Sequence, residues 1–192
     1  MVSPATMETN PAPIAAELVF NAFNLGDIRD RDVADLGCGT GMFAAGAAVM
    51  GASSVTAVDV DGSAVDAARA FARQNGLEIA FTVGEVQQLS ERFHTVLQNP
   101  PFGAQTKRAD RVFIETALRI ADVVYTIHNS NTISFIELMA GKLGFSVSFE
   151  KNYIFKLEHT FDFHRKARVD HDVTLLRLVR TGRTADLSTI GL

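Results

Sequence analysis

Two short motifs in this chain contain residues whose types and spacing could carry chemistry. A glycine-rich stretch, DLGCGTG, occupies residues 35–41, and the tetrapeptide NPPF occupies residues 99–102, beginning 64 residues after Asp35. Glycine permits tight turns and close approach of the backbone to a ligand, so the first motif is typical of a loop that holds a nucleotide cofactor. The second is suited to holding a planar amine. Together they predict transfer of a methyl group from S-adenosylmethionine to nitrogen.

The glycine spacing separates two classes of cofactor. Dinucleotide enzymes use Gly-x-Gly-x-x-Gly to place a pyrophosphate on a helix N-terminus, whereas residues 37–41 have the spacing Gly-x-Gly-x-Gly. S-adenosylmethionine carries no phosphate, and the preceding acid, Asp35, would repel one. A nicotinamide dehydrogenase is therefore the weakest interpretation. The loop residues expected at the cofactor are Asp35, Gly37, Gly39 and Gly41.

Two further acids follow predicted strands and could complete the cofactor site. Asp59 ends the second strand, 24 residues after Asp35, where a carboxylate could accept hydrogen bonds from both ribose hydroxyls. The alternative is an acid in a surface turn. Glu85 follows the third strand and could reach the adenine amine of the cofactor, or could be a solvated loop acid. We expect both at the cofactor, together with Asn99.

The NPPF motif suggests how an unreactive amine could be activated. The exocyclic amine of adenine is a poor nucleophile because its lone pair is delocalised into the ring. The side-chain carbonyl of Asn99 and the backbone carbonyl of Pro100 could accept its two N–H groups, on a loop stiffened by Pro100 and Pro101. Phe102 offers a face on which a base could stack. These four residues are the predicted catalytic group; an ordinary rigid turn is the alternative.

Alternating strands and helices must position these motifs. Periodicity and capping residues predict helices near 11–25, 42–50, 110–120 and 132–143, and another capped by Ser63. Strands are predicted near 33–36, 55–59, 79–83, 93–97 and 123–127, with a final antiparallel pair near 145–154 and 169–179. The predicted fold is α/β and Rossmann-like, of the class I S-adenosylmethionine-dependent methyltransferase type, with a mostly parallel seven-stranded sheet.

Length and composition favour one domain over residues 1–192. Of 192 residues, 47% are hydrophobic and 21% charged, which suits a single core. We expect an N-terminal helix at about 11–25, a core at about 30–183 and a frayed tail over 184–192. With no apolar run near the roughly 20 residues that span a bilayer, and no secretion pattern in residues 1–10, we expect a cytoplasmic protein without a membrane partner.

Cysteine usage and charge exclude some functions. The single cysteine, Cys38, excludes an internal disulfide and a multi-cysteine metal site; it is interpreted as a small loop residue, and no metal site is predicted. Net charge is −4, which argues against a generally basic protein that coats nucleic acid. The chain from residue 151 onward is mildly basic, with eight Lys and Arg against five Asp and Glu. On charge alone, such clusters indicate a solvated face.

The order of several motifs resembles the methyltransferase-like five family. These motifs are DLGCGTG (35–41), VDVD (58–61), NPPFG (99–103), YTIHNS (125–130) and FHRK (163–166) followed by VD (169–170), within a resemblance over about residues 8–180. Members of that family methylate adenine N6 in small-subunit ribosomal RNA. The resemblance implies that residues 99–102 hold the target adenine and that Asp35, Gly37, Asp59 and Glu85 bind S-adenosylmethionine.

The resemblance also implies an RNA-binding surface. Two basic clusters flank the catalytic mouth, where a phosphate backbone must lie for a base to be flipped in. The implied RNA-binding residues are Lys107, Arg108, Phe163, His164, Arg165, Lys166 and Arg168. His128 and His164 are interpreted as hydrogen-bonding residues without an acid–base role.

A protein partner is a further implication of the resemblance. Eukaryotic relatives work with a small zinc-binding activator of the tRNA methyltransferase 112 type, which pairs with the third strand. The alternation of Ile79, Phe81 and Val83 could provide that edge, or could be a short edge strand without a partner. Relatives usually carry Gln-Tyr-x-Thr-Pro before the first helix. This chain has ETNP over residues 8–11, so the tyrosine that helps to close the cofactor site is missing.

Two other functions remain open. An N-methyltransferase acting on a protein glutamine or a guanine amine would need the same amine-holding loop. A non-catalytic cofactor-binding RNA chaperone is disfavoured, because it would not need an intact NPPF motif.

Overall fold

The computed structural model describes residues 12–101, 109–158 and 168–182. The predicted tail and residues 8–11 lie outside this part of the chain. The helices are α1 (Ala12–Asn24), α2 (Met42–Val49), α3 (Gly62–Gln74), α4 (Ala109–Ile120) and α5 (Ile133–Lys142). The strands are β1 (Asp32–Leu36), β2 (Ser54–Asp59), β3 (Ala80–Val83), β4 (Phe93–Gln98), β5 (Ala121–Asn129), β6 (Phe145–Glu158) and β7 (Arg168–Arg180). Short 3-10 turns precede β4 and α5, at Val86–Gln88 and Ser130–Thr132.

All seven strands form one sheet in the order β3-β2-β1-β4-β5-β7-β6. Strands β1 to β5 are parallel to one another, and β7 is antiparallel to both β5 and β6. This confirms the predicted α/β fold with a mostly parallel sheet and an antiparallel final pair. None of the described helices combines the length and apolar character that crossing a bilayer requires.

Two apolar clusters lie on opposite faces of the sheet. One contains buried residues of α1, α2 and α3, such as Leu18, Phe43 and Val65, against alternate residues of the central strands. The other contains buried residues of α4 and α5, such as Ile114 and Ile136. Because both faces are covered, the parallel strands are nearly continuously apolar, and a polar residue within them stands out.

A partly buried ion pair ties the segment before β1 to β7. Arg177 on β7 donates from Nε to Oδ2 of Asp27 at 2.8 Å, and the hydroxyl of Tyr125 on β5 donates to the same oxygen at 2.7 Å. The hydroxyl of Thr95 on β4 donates to the Asp27 backbone oxygen at 2.6 Å. These bonds hold the segment before β1 against β4, β5 and β7.

The predicted cap of α3 is wrong. Asp61, not Ser63, is the N-cap residue: its Oδ1 accepts the N–H groups of Ser63 and Ala64 at 2.9 and 3.3 Å. The hydroxyl of Ser63 itself donates to that oxygen at 2.6 Å. The helix therefore begins at Gly62, because the Asp61 carboxylate, two residues before Ser63, accepts the free N–H groups of the first turn.

Candidate cofactor and substrate site

The predicted cofactor and catalytic residues follow four strands that are consecutive in the sheet. Glu85 lies beyond β3, Asp59 ends β2, the glycine loop follows β1, and Asn99 follows β4. Leu36 pairs with Val58 on one side and with Gln98 on the other, so the ends of β2, β1 and β4 are level. Parallel α/β sheets bind ligands at this carboxyl edge. The structure thus brings together the two motifs that lie 64 residues apart in the sequence.

The glycine loop has a conformation that side chains would disturb. Gly37, Gly39 and Gly41 have φ angles of 69°, 51° and 81°, in the left-handed region that glycine tolerates. A Cβ at position 37 would also meet Cε1 of Phe113, from α4, at 2.7 Å. The N–H groups of Gly37 and Cys38 both donate to the carbonyl of Val58. The loop is thereby held against β2 on one side and α4 on the other.

Asp59 fixes the glycine loop from the neighbouring strand. Its Oδ2 accepts the N–H of Gly39 at 2.7 Å, and its Oδ1 accepts the N–H of Asp61 at 2.9 Å. A carboxylate has about four lone-pair sites, so two bonds leave room for further donors. The predicted contact with ribose hydroxyls is compatible with this arrangement and stays a prediction.

Asp35 is a fully buried acid with one oxygen left over. Its Oδ2 accepts the N–H of Ala44, in the first turn of α2, at 2.9 Å, whereas its Oδ1 has no partner among the described residues. Burial raises the pKa of Asp35 to about 7; the Ala44 hydrogen bond opposes this rise and the Asp59 charge adds to it. A buried acceptor next to the glycine loop fits a cationic donor, such as the ammonium group of S-adenosylmethionine.

Cys38 and Glu85 do not have a buried, unpaired polar atom of the kind found at Asp35. Cys38 is buried, and burial together with the charges of Asp35 and Asp59 raises the pKa of its thiol well above the ordinary value, which keeps the thiol protonated and poorly nucleophilic. Glu85 is exposed and accepts a hydrogen bond from the side-chain amide of Gln87. The side chain of Glu85 is therefore accessible to a ligand, but nothing buried holds it in place.

The described part of the NPPF motif presents an unused acceptor. Asn99 is half-buried, and its Oδ1 has no hydrogen-bond partner among the described residues. Pro100 is buried and Pro101 is exposed. Leaving a buried amide oxygen unpaired costs free energy, about 1–3 kcal/mol, unless a ligand donates to it. An acceptor of this kind at the end of β4 suits an incoming N–H group.

Several predicted residues lie outside the described part of the chain. These are Phe102, Lys107, Arg108, Phe163, His164, Arg165 and Lys166. Arg168 begins β7, and only its backbone is described. The roles predicted for these residues in base stacking and RNA binding therefore remain predictions.

Three buried polar residues beside Asn99 were not singled out as a group from the sequence. Gln98 ends β4, and Thr126 and His128 lie on β5; all three are buried, and hydrogen bonds link them. The available signal was in β5, where Thr126 and His128 interrupt a run of apolar and aromatic residues. Phe113 was also missed, because its contact with Gly37 joins distant parts of the chain.

Comparison with known proteins identifies the family of this chain. Residues 13–123 match the methyltransferase small domain family. The rRNA N(6)-adenosine-methyltransferase METTL5 of Danio rerio is 33% identical over 85% of this chain and 81% of its own length. An uncharacterized protein of Methanocaldococcus jannaschii is 33% identical over 88% of this chain and 82% of its own.

A solved structure extends the agreement to the fold. A provisionally assigned RNA methyltransferase from Pyrococcus horikoshii superposes with a TM-score of 0.82 and 36% identity, over 92% of this chain and 88% of its own. The chain therefore belongs to the methyltransferase-like five family of S-adenosylmethionine-dependent methyltransferases, within the wider methyltransferase small domain family.

Proposed function

We propose that this protein transfers a methyl group from S-adenosylmethionine to N6 of an adenine in RNA, specifically in small-subunit ribosomal RNA. The observation that carries this proposal is the unpaired, buried Oδ1 of Asn99, which directly follows β4, the neighbour of the strand that leads into the glycine loop. The names of the relatives from Danio rerio and Drosophila melanogaster, both rRNA N(6)-adenosine-methyltransferases, support the choice of acceptor.

The amine is activated by positioning. Asn99 Oδ1 accepts one N–H of the adenine amine and the Pro100 carbonyl accepts the other, which draws the nitrogen lone pair out of conjugation and turns it towards the methyl donor. The ring of each proline fixes its φ angle, so the loop is stiff and the acceptors are held in place before the substrate arrives. Positioning of two reactants can lower a barrier by up to roughly 7–11 kcal/mol. The amine then loses one proton to water.

S-adenosylmethionine, when bound, supplies an electrophilic methyl group on a sulfonium sulfur. On the protein side, Asp35 offers its unpaired buried oxygen to the cofactor's ammonium group, and the glycine loop allows the backbone to approach closely. Asp59 keeps the loop in shape and has lone pairs left for the ribose hydroxyls. Glu85 is accessible to the adenine amine of the cofactor.

The acceptor is identified by nucleoside and peptide mass spectrometry after incubation of the protein with S-adenosylmethionine, small-subunit RNA and protein fractions. We expect N6-methyladenosine from the wild type and a loss of about 100-fold or more for Asn99→Ala, because removal of one positioned donor or acceptor costs about 100- to 1000-fold in comparable sites. Methylated guanine or methylglutamine as the main product would assign the same chemistry to another acceptor. Near-normal turnover by Asn99→Ala would contradict the mechanism.

We also propose that two basic segments of the sequence bind RNA. Lys107 and Arg108 follow the NPPF motif, and Phe163 to Arg168 join β6 to β7 in the sequence. Neutralising Arg165, Lys166 and Arg168 together should weaken RNA binding and reduce its dependence on salt, because fewer counterions are released. Unchanged binding across a salt series would remove these residues from the interface.

We also propose a protein partner, a small zinc-binding activator of the tRNA methyltransferase 112 type, which docks on β3. In support, β3 is one of the two edge strands of the sheet. Val83 on β3 and Phe71 on the adjacent α3 are exposed. An edge strand accepts a partner strand through its free backbone groups. Arg69 already donates to the carbonyl of Phe81 at 2.9 Å, so a partner would have to replace that bond.

Co-purification tests whether an activator binds to β3. The N–H of Gly84 donates to Asp59 on β2, so by alternation the N–H of Val83 faces the free edge of β3. Val83→Pro removes that N–H group and should abolish any complex, whereas Ser146→Ala on the opposite edge strand, β6, should not. A monomer in sedimentation, fully stable and active when expressed alone, would count against a required activator. We further propose that one domain in the cytoplasm carries the whole activity.

A further inference from the structure

A chain of buried hydrogen bonds runs from the end of β4 into β5. The side-chain amide nitrogen of Gln98 donates to the hydroxyl oxygen of Thr126 at 3.0 Å, and that hydroxyl lies 2.7 Å from Nε2 of His128. Gln98 and Thr126 are fully buried, and His128 is 1% exposed. Polar groups so placed within an apolar sheet cost free energy unless they are paired, so their presence calls for an explanation.

The bonds of this chain are formed without a charged group. The Thr126 oxygen accepts the Gln98 amide and keeps a second lone pair and its own proton, so it can pair with Nε2 of His128 as donor or as acceptor. The side-chain oxygen of Gln98 has no partner among the described residues. Burial lowers the pKa of His128 to about 3, so the imidazole is neutral at any pH at which the enzyme works.

The chain sits where the backbone ladder between β4 and β5 stops. Gln98 and Thr126 are the last paired residues of the two strands; β4 ends there, whereas β5 continues to Asn129 in register with β7. Beyond Asn99, Pro100 and Pro101 have no N–H with which to continue the ladder. Among the described residues, the Gln98–Thr126 bond thus lies at the last paired position of β4 and β5, directly before Asn99.

We propose that Gln98, Thr126 and His128 are positioning residues, which hold the end of β4 so that the Asn99 and Pro100 carbonyls face the amine. His128 orients the Thr126 hydroxyl, Thr126 fixes the Gln98 amide, and Gln98 fixes the backbone from which Asn99 projects. None of the three needs to contact the substrate or transfer a proton. The catalytic consequence rests on the function proposed above, but the structural consequence, a fixed Asn99, does not.

Steady-state kinetics of Thr126→Val test the catalytic consequence. This variant keeps the shape of the side chain and removes the hydroxyl, and we expect kcat to fall by up to about 100-fold, the loss associated with misplacement of reacting groups by about 1 Å. KM for RNA and the Kd of S-adenosylmethionine should not change, because the chain touches neither. Thr126→Ser keeps the hydroxyl and should restore kcat.

Two further variants distinguish positioning from a general loss of stability. Thr95→Val also removes a buried hydroxyl, on β4, whose bond to the Asp27 carbonyl is remote from Asn99, and should leave kcat unchanged. Gln98→Met breaks the same chain at another link, so Thr126→Val should add little to its effect. Equal losses for Thr95→Val and Thr126→Val, or effects of Gln98→Met and Thr126→Val that multiply, would overturn the proposal.

Hydrogen exchange at the Asn99 backbone amide, measured by NMR, gives a result that does not depend on the acceptor. Exchange should be faster in Thr126→Val, or in Gln98→Met if the former does not fold, than in Thr95→Val. If the wild type methylates no RNA but this difference is found, the function proposed above fails and the positioning role stands. Equal exchange rates in these variants would overturn the positioning role whatever the substrate.

Discussion

The carboxylate of Asp59 accepts a hydrogen bond from the backbone N–H of Gly39 at 2.7 Å, although the two residues are 20 positions apart. The same carboxylate accepts the N–H of Asp61 at 2.9 Å. One acid at the end of β2 therefore sets the shape of the loop that follows β1. The loop that is expected to bind the cofactor depends on its neighbouring strand before any cofactor is present.

Replacing Asp59 should weaken cofactor binding by loosening the glycine loop. A hydrogen bond to a charged group is worth about 1.5–3 kcal/mol, so Asp59→Ala should raise the Kd of S-adenosylmethionine by about 10- to 150-fold, as measured by calorimetry. Asp32→Ala is the matched control, because Asp32 begins β1 at the opposite edge of the sheet and bonds only to the Ser54 hydroxyl among the hydrogen bonds described. Equal affinities of wild type and Asp59→Ala would refute this role.

Gly37→Ala should destabilise the protein more than Gly39→Ala. Both positions have positive φ, which costs an alanine about 1–2 kcal/mol, but a Cβ at position 37 also meets the Phe113 ring at 2.7 Å, whereas one at position 39 has nothing within 4 Å. Crowding of this kind adds roughly 1–3 kcal/mol. Urea unfolding measures the difference.

The Phe113 contact can be tested separately by a double-mutant cycle. In a Phe113→Ala background the extra cost of Gly37→Ala should largely disappear, while the cost of Gly39→Ala should not change. If Gly37→Ala costs the same in both backgrounds, the ring is not what limits this position.

Asp35 should give the ligand-free protein a distinctive dependence on pH. Its pKa is about 7 in the folded protein because of burial, against about 3.9 in an unfolded chain. Between these values the folded protein holds a proton that the unfolded chain has lost, so the contribution of Asp35 to stability decreases as pH rises from about 4 to about 7. Above pH 7 it is constant.

Asp35→Asn isolates this contribution, because it removes only one titrating group. The free energy of unfolding of the wild type, relative to Asp35→Asn, should fall between pH 4 and pH 7 in urea titrations. Parallel curves for the two proteins across this range would mean that Asp35 is ionised in the folded state throughout.

The pair of Asp27, which is buried, and Arg177, which is partly buried, should matter more than an exposed pair. Arg177→Met leaves the Asp27 carboxylate buried with only the Tyr125 hydroxyl as a side-chain donor, and breaking a buried pair in this way costs about 3–5 kcal/mol. Arg92→Met removes the Arg92–Asp122 ion pair, in which Arg92 is 55% exposed, and should cost about 0–1 kcal/mol. Similar losses in urea unfolding would contradict the assigned burial.

The order of strands and helices could be predicted, because apolar periodicity and turn residues are local properties of the sequence. The meeting of the two motifs could be predicted because parallel strands place their carboxyl ends at the same edge of the sheet. The N-cap at Ser63 was wrong, since two candidate caps lie within one turn and only geometry decides between Asp61 and Ser63. The Asp59–Gly39 bond and the Phe113–Gly37 contact were not predicted because they join distant residues.

The polar residues of β5 were the sequence signal from which the hydrogen-bonded group beside Asn99 could have been predicted in part. Thr126 and His128 interrupt a buried apolar strand next to the NPPF motif, yet their partner Gln98 became apparent only with the β4–β5 register. A buried polar residue in a parallel strand predicts a hydrogen bond, but the sequence does not say with which strand.

Mapping of N6-methyladenosine on small-subunit ribosomal RNA, from cells with and without the gene for this protein, tests the central claim most directly. We predict one adenine whose methylation disappears without the gene, returns with the wild type and does not return with Asn99→Ala. The cofactor affinity of Asn99→Ala should be measured alongside, to show that its cofactor site is intact. An identical methyladenosine map in the two strains would contradict the account.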